Sequence, residues 1–173
     1  MPDSRKKVIV RTLGNLLRPG YLPLSGLLDP AATSVTLLDL EARILPIPLA
    51  SVRHIAYVRD FNLNDNSDPE RLTRRTFLAR PRTEGLWLRL TLPGPEVFEG
   101  LAPLDLSLLD MLQQDRGLFL IPPDIRSNTQ RLYVPRTAIL DLRLLAVITN
   151  PSKSKPAKHP PKLPSILQDN LFP

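Results

Sequence analysis

The segment GLFLIPPDIRSNTQRLYVPRTAIL, residues 117–140, decides the fold of this chain. It begins with a short apolar run, continues through a polar stretch rich in Asp, Ser and Asn, and returns in a second apolar run that ends at a proline. Short apolar runs bounded by turn residues are typical of antiparallel strands joined by a hairpin. The first half offers five more such runs, namely VIVRTL, YLPLSGLL, SVTLLD, ARILPIPL and VRHIAYV.

Several of these runs recur in the same order in the second half. The matches are VIVRTL (8–13) with LWLRLT (86–91), GYLP (20–23) with GLAP (100–103), LLD (27–29) with LLD (108–110), SVTLLDL (34–40) with GLFLIPP (117–123), and IPLASVRHI (47–55) with VPRTAILDL (134–142). Ordered matches of this kind indicate an internal duplication in which the second copy carries loop insertions. The alternative is a chance alignment between two halves that are both rich in leucine and proline.

A small repeated unit of about five short strands favours a barrel, because closure protects the strand edges. We therefore predict an all-β fold of two tandem small antiparallel barrels, SH3-like, Sm-like or PilZ-like, with a Pro/Lys-rich extended C-terminal tail. The expected parts are a first barrel over 1–59, a polar and basic connector over 60–84, a second barrel over 85–149, and the tail over 150–173. Glycines expected where strands bend are Gly20, Gly26 and Gly100.

The composition limits the chemistry that the chain can perform. Cysteine is absent, and the two histidines, His54 and His159, lie far apart, so we expect no metal, no cofactor and no nucleophile–histidine relay. His54 alternates with apolar neighbours in VRHIAYV and is predicted to face outward from a strand. The carboxylates are scattered and the glycines do not cluster into a phosphate-binding loop. We therefore expect a protein that is not an enzyme.

The chain shows no sign of a membrane association. The N-terminus is basic, but Arg11 interrupts its apolar run, so the sequence lacks a signal-peptide core. No run approaches the length of a membrane span, and we expect a cytoplasmic protein without a membrane partner. The net charge of +6 resides mainly in the termini, because all lysines lie before residue 8 or after residue 150.

The densest basic segment is RLTRRTFLARPR, residues 71–82. Its arginines are Arg71, Arg74, Arg75, Arg80 and Arg82. Guanidinium groups can bind phosphates in a bidentate manner, and the nearby Phe77 and Trp87 could stack on a base. The other interpretation is a solvated connector whose arginines pair with nearby acids. Binding of a nucleic acid or a cyclic dinucleotide through this segment is therefore the alternative function.

The same segment resembles part of the PilZ family, whose domains bind cyclic di-GMP. RLTRR (71–75) has the RxxxR spacing of that family, and DLS (105–107) is similar to the beginning of its [DN]xSxxG motif. The resemblance implies that Arg71 and Arg75 grip phosphate and guanine, with Asp105 and Ser107 on an adjacent strand. Asp110 stands where the family has glycine, which is a departure from the motif.

A broader resemblance extends over the whole chain. YVRDF (57–61), ARPRTEGLWLRL (79–90) and GLFLIPPDIRSNTQRLYVPR (117–136) resemble segments of uncharacterised bacterial proteins made of paired small β-barrels. This resemblance implies a fold and no activity.

A polar loop and the tail are candidates for protein contact. The loop PPDIRSNTQR carries Asp124, Arg126, Asn128 and Arg131. The tail contains an apolar patch formed by Ile166, Leu167, Leu171 and Phe172. In the alternative interpretation the loop satisfies its own backbone, and the tail frays or packs on its own barrel. We predict a non-enzymatic binding or adaptor protein with a protein partner or self-association.

Overall fold

The computed structural model describes residues 5–23, 32–72, 75–94 and 96–149. The strands of the first half are β1 (Arg5–Thr12), β2 (Leu17–Pro23), β3 (Ser34–Asp39), β4 (Ile44–Pro48) and β5 (Val52–Val58). The strands of the second half are β6 (Gly85–Leu92), β7 (Glu96–Ala102), β8 (Gly117–Leu120), β9 (Thr129–Pro135) and β10 (Asp141–Ile148). The other described elements are the helix α1 (Leu106–Gln114) and short 3₁₀ turns at Leu49–Ser51 and Arg136–Ala138.

The strands form two antiparallel sheets. A seven-stranded sheet has the order β4-β3-β2-β1-β5-β9-β8, and a three-stranded sheet has the order β10-β6-β7. The prediction of a mainly antiparallel β fold is confirmed, but the prediction of closed barrels was wrong. The first half does not close on itself because β5 pairs along its outer side with β9 of the other half. Two backbone hydrogen bonds between Leu101 and Ile121, of 3.1 and 2.9 Å, link β7 to the residue that follows β8.

Strand pairing follows one scheme in both halves. The matched cross-strand pairs are Val8–Gly20 with Leu88–Gly100, Val10–Ile55 with Leu90–Leu142, Tyr21–Leu38 with Leu101–Ile121, and Thr36–Pro46 with Phe119–Tyr133. In this scheme Arg11 matches Thr91, so the sequence alignment that placed Arg11 opposite Arg89 was wrong by two residues. A shift of two keeps every side chain on its face of the sheet, which is why the apolar pattern could not detect it.

Two of the three glycines expected at strand bends allow neighbouring strands to approach closely. A Cβ atom on Gly20 would lie 2.5 Å from the carbonyl oxygen of Leu38, and one on Gly100 would lie 2.9 Å from Cβ of Leu120. Any larger residue at either position would push the adjacent strand away. Gly26 lies outside the described residues.

Buried side chains from both sheets form one hydrophobic core. Phe98 on β7 packs edge-to-face against His54 on β5, with 5.6 Å between the ring centroids. Both rings are almost fully buried. The prediction that His54 faces outward was therefore wrong, because the second sheet covers the face of β5 that the alternating pattern suggested was exposed.

Candidate interaction surface

A buried ion pair fixes the connector to the first sheet. Arg11 on β1 donates two hydrogen bonds to Glu70, from Nε to Oε1 at 2.9 Å and from Nη2 to Oε2 at 2.7 Å. His54 Nε2 lies 3.3 Å from the same Oε1 atom. The Glu70 and His54 residues are each 1% exposed. The sequence did not predict this cluster, because Glu70 lies 59 residues from Arg11 in a segment rich in polar residues.

The protonation states of this cluster follow from its burial and hydrogen bonds. Burial by itself would raise the pKa of the Glu70 carboxyl, but hydrogen bonds from His54 and Arg11 outweigh that effect and lower the pKa to about 2. Burial lowers the pKa of His54, and the contact with Glu70 opposes this only in part. A neutral imidazole must donate from Nε2, since an ionised carboxylate only accepts hydrogen bonds. We interpret the cluster as a clamp that holds the connector in place.

The loop between β8 and β9 packs on the connector. Asn128 Nδ2 donates to the carbonyl oxygens of Asp60 and Pro69, and Asn128 Oδ1 accepts from the Asp60 N–H at 2.9 Å. Ser127 Oγ donates to the carbonyl oxygen of Arg71 at 3.1 Å. Asn128 is buried, so this candidate partner-binding residue satisfies the backbone of the connector.

The remaining candidate residues, Asp124 and Arg126 in the loop and Arg131 on β9, lie nearer to the surface. Asp124 accepts a hydrogen bond from the backbone N–H of Arg126 at 2.9 Å. Arg131 stacks over the ring of Phe119, with 3.8 Å between Cζ and the ring centroid. Arg126 and Arg131 are exposed. The four tail residues Ile166, Leu167, Leu171 and Phe172 lie outside the described residues.

The arginines of the connector contact different parts of the protein. Arg75 forms an ion pair with Glu96 and lies over the ring of Phe98, 5.2 Å from its centroid. Arg71 lines a cleft of about 880 Å³ together with Asp60, Asp65 and neighbouring asparagines. The side chains of Arg80 and Arg82 are exposed. Arg74 lies outside the described residues.

The residues of the second PilZ-like motif do not lie on a strand. Asp105 immediately precedes α1, and Ser107 belongs to the first turn of that helix. The resemblance implied an adjacent strand at this position, so the structure differs from that expectation. The aromatic pair near the connector is also engaged, because Phe77 and Trp87 pack edge-to-face with 5.7 Å between centroids. The Trp87 Nε1–H donates to Glu99 at 3.2 Å.

One side of α1 is apolar and exposed. Leu108 and Met111 of the helix are buried, whereas Leu109 and Leu112 are 60% and 57% exposed. Leu106, three residues before Leu109, is exposed as well. A spacing of three residues places these leucines on one side of the helix. Nothing in the part of the chain that the structure describes covers this side.

A cleft separates α1 from the beginning of β10. Its volume is about 300 Å³, and its lining includes Met111 and Leu112 on one side and Leu140 and Leu142 on the other. Concave sites with apolar walls favour the insertion of an apolar group from a binding partner.

The apolar surface continues from the cleft along β10. Leu142 and Leu144 lie opposite Leu90 and Leu88, and therefore on the face of the sheet that forms the core. Leu88 and Leu90 are buried, but Leu142 and Leu144 are 43% and 56% exposed, because they lie at the sheet edge. The α1/β10 surface, as we call this region, consists of Leu109, Leu112, Leu140, Leu142 and Leu144.

Sequence reasoning missed α1, and with it this surface. The signal was present, since Asp105 is a favoured N-cap residue and the run LSLLDMLQQ that follows contains good helix formers. The match of LLD (108–110) with LLD (27–29) hid the helix, because it suggested a repeated β segment. Residues 27–29 lie outside the described residues, so that match stays a prediction.

The fold and its exposed apolar face define the chain as a two-sheet β protein with a candidate interaction surface. It belongs to a family of unknown function (DUF6982), whose model matches residues 4–146. No curated protein and no solved structure matches the chain significantly. Among the described residues, no helix has the length and apolar character needed to cross a membrane. Within the same residues, no group of three or more acidic or histidine side chains is arranged to hold a metal ion.

Proposed function

We propose that this protein is a non-enzymatic binding module that engages protein partners through the α1/β10 surface. The observation that carries the proposal is the row of exposed leucines on α1, in the cleft and on β10. Contiguous exposed apolar patches of this kind mark protein interaction sites, whereas single exposed leucines need no explanation. Among the described strands β10 has no neighbour on its outer edge, which adds backbone groups that an incoming strand could bind.

The charges around this surface also favour a protein partner. Asp115 and Arg136 form an ion pair at 3.2 Å beside the cleft, and Asp141 and Arg143 form one at 2.9 Å on β10. An apolar centre with a polar rim is the usual anatomy of a protein–protein interface. Each ion pair has no net charge, so this surface does not select a polyanion.

The alternative, phosphate binding through the connector arginines, has weaker support. Arg75 is already paired with Glu96, and the cleft beside Arg71 is lined by Asp60 and Asp65, whose carboxylates repel phosphate. Binding of cyclic di-GMP or single-stranded DNA that falls steeply with salt would favour this alternative. That binding should also weaken when Arg80 and Arg82 are replaced by alanine.

We also propose that the two halves arose by duplication of one five-stranded unit. The shared register of their cross-strand pairs supports this origin, as does the 3₁₀ turn before the last strand of each half. A chance alignment of two leucine-rich halves would not require matching registers.

Photo-crosslinking in the native host tests the proposed function. A benzophenone amino acid at position 109 or 112 is expected to form a discrete protein adduct that survives nuclease treatment. The same probe at Ile44, which is 70% exposed on β4, provides the control and should give no such adduct. Absence of an adduct at both α1 positions would contradict the proposal, and so would equal labelling from Ile44.

A further inference from the structure

The outer edge of β10 presents backbone groups whose direction can be deduced from the ladder. Leu101 and Ile121 exchange two hydrogen bonds across β7 and β8. Successive residues of a strand direct their backbone N–H and C=O groups to opposite sides. Those of Gly100 therefore point toward β6, where Gly100 lies opposite Leu88. The backbone N–H and C=O groups of Arg89, the next residue of β6, therefore point toward β10.

The same alternation directs two residues of β10 away from β6. Arg143 lies opposite Arg89 and directs its N–H and C=O groups toward it. Leu142 and Leu144, on either side of Arg143, consequently direct their backbone groups outward. No strand pairs with this side of β10 in the ranges that the structure describes. The edge therefore offers two donors and two acceptors, and both residues also expose apolar side chains.

β4 forms one edge of the seven-stranded sheet, but its outer side cannot accept another strand. Leu49 N–H donates to the Thr33 carbonyl oxygen at 2.9 Å. This bond shows which residues of β4 direct their backbone groups toward β3 and which direct them outward. The β4 residues that face outward are Ile44, Pro46 and Pro48. Proline has no N–H to donate, and prolines on an edge strand prevent the addition of another strand. A head-to-tail contact between β10 of one copy and β4 of the next is therefore disfavoured.

The first half shows how this fold occupies the corresponding edge. By register β5 is the counterpart of β10, and Ile55 holds the position that Leu142 holds in β10. β5 pairs antiparallel with β9 along this side, with Ile55 opposite Tyr133. Ile55 is 0% exposed, whereas Leu142 is 43% exposed. The edge is thus covered by an antiparallel strand in one half, whereas in the other half no strand within the described residues covers it.

We propose that β10 pairs antiparallel with β10 of a second copy of the chain, an inference that rests on the proposed function of the α1/β10 surface. With Arg143 at the two-fold axis, Leu142 of each copy lies opposite Leu144 of the other. Every outward backbone group of these residues then has a partner, and the exposed leucines of the two copies meet on one face. In each copy Asp141 Oδ2 lies 2.9 Å from Arg143 Nε, so the two Asp141 carboxylates offset the charge of the two facing guanidinium groups. Because the β4 edge is closed, the assembly stops at a two-fold dimer.

Sedimentation analysis of the full-length protein over a wide concentration range tests this pairing. The wild type is expected to reach twice the monomer mass of 19.4 kDa. Leu142→Pro removes one outward N–H and leaves the ladder to β6 intact, so the dimer dissociation constant should rise more than about 100-fold. Leu144→Lys places a charge in the paired edge, at a side chain that is already 56% exposed, and should have a similar effect. Ile44→Lys makes the matched change on the closed edge and should leave the dimer unchanged.

The outcomes separate this proposal from the proposed function. A wild type that stays monomeric at every concentration overturns the pairing, and so does a Leu144→Lys variant that remains as dimeric as Ile44→Lys. A monomer that still forms an adduct with a different protein from position 109 or 112 would keep the proposed function and reject the second copy. A monomer without any adduct would reject both. Circular dichroism of each variant establishes that it is folded.

Discussion

Replacing Glu70 by alanine is expected to lower the free energy of unfolding by about 3–5 kcal/mol, the usual effect of removing one member of a buried ion pair. The loss is large because Arg11 would keep a guanidinium group in the interior without its carboxylate. The connector would also lose the anchor that holds it to β1. Urea denaturation followed by the fluorescence of Trp87, the single tryptophan, measures the change.

The contribution of Glu70 to the free energy of unfolding should decrease as the pH falls. The folded-state pKa is lowered from an ordinary 4.5 to about 2. The ionised group therefore adds roughly 3 kcal/mol of stability, present above the ordinary pKa and lost as the pH falls toward the folded-state pKa. The difference in unfolding free energy between wild type and Glu70→Gln should shrink over that interval. A difference that stays constant with pH would contradict the buried ion pair.

A surface ion pair provides the control for Glu70. Glu41 and Arg43 form an ion pair at 2.8 Å, with side chains that are 70% and 65% exposed. Exposed pairs contribute about 0–1 kcal/mol, so Glu41→Ala should change stability little. Equal losses for Glu41→Ala and Glu70→Ala would show that Glu70 is not the anchor described above.

Phe98→Ala should also lower the unfolding free energy by about 3–5 kcal/mol, as is typical of truncating a buried phenylalanine. Phe98 is 2% exposed on β7 and contacts His54 of the other sheet. Its ring thus belongs to the contact that holds the two sheets together. A cavity at this position would weaken the packing between the sheets.

Two matched substitutions calibrate the Phe98 result. Phe98→Leu retains most of the apolar volume and should cost clearly less than alanine. Leu78→Ala truncates a side chain that is 82% exposed and should change stability by less than about 0.5 kcal/mol. A loss for Phe98→Ala no larger than that for Leu78→Ala would contradict packing of the three-stranded sheet against β5.

The sequence predicted most of the strands because their signals are local. The runs SVTLLD and VRHIAYV coincide with β3 and β5, and LWLRLT lies within β6. β2 begins at Leu17, before the apolar run that predicted it, because pairing with Arg11 and Val10 of β1 extends the ladder through Arg18. The apolar pattern alone cannot predict where such a strand begins, because its first residues are held by hydrogen bonds from the neighbouring strand.

The candidate surface could not be predicted in the same way. Leu142 and Leu144 lie in an apolar run, as Ile55 and Tyr57 do on β5, and the sequence does not distinguish the two strands. Only the strand order reveals that β5 is covered by β9 while β10 lies at an edge. The anchoring of the connector is equally non-local, because Glu70 and Asn128 act on segments far away in sequence. The prediction of closed barrels failed for the same reason, since the pairing of β5 with β9 joins two halves that each look self-contained.

Amide hydrogen exchange at Leu142 and Leu144 in the full-length protein tests most directly whether the edge of β10 is an interface. Both N–H groups point away from β6, so a bare edge would let them exchange as fast as amides in an exposed loop, such as that of Ile125. We predict that their exchange slows as the protein concentration rises, while the exchange of Ile125 stays unchanged. Fast exchange of both amides at every concentration would contradict pairing of this edge.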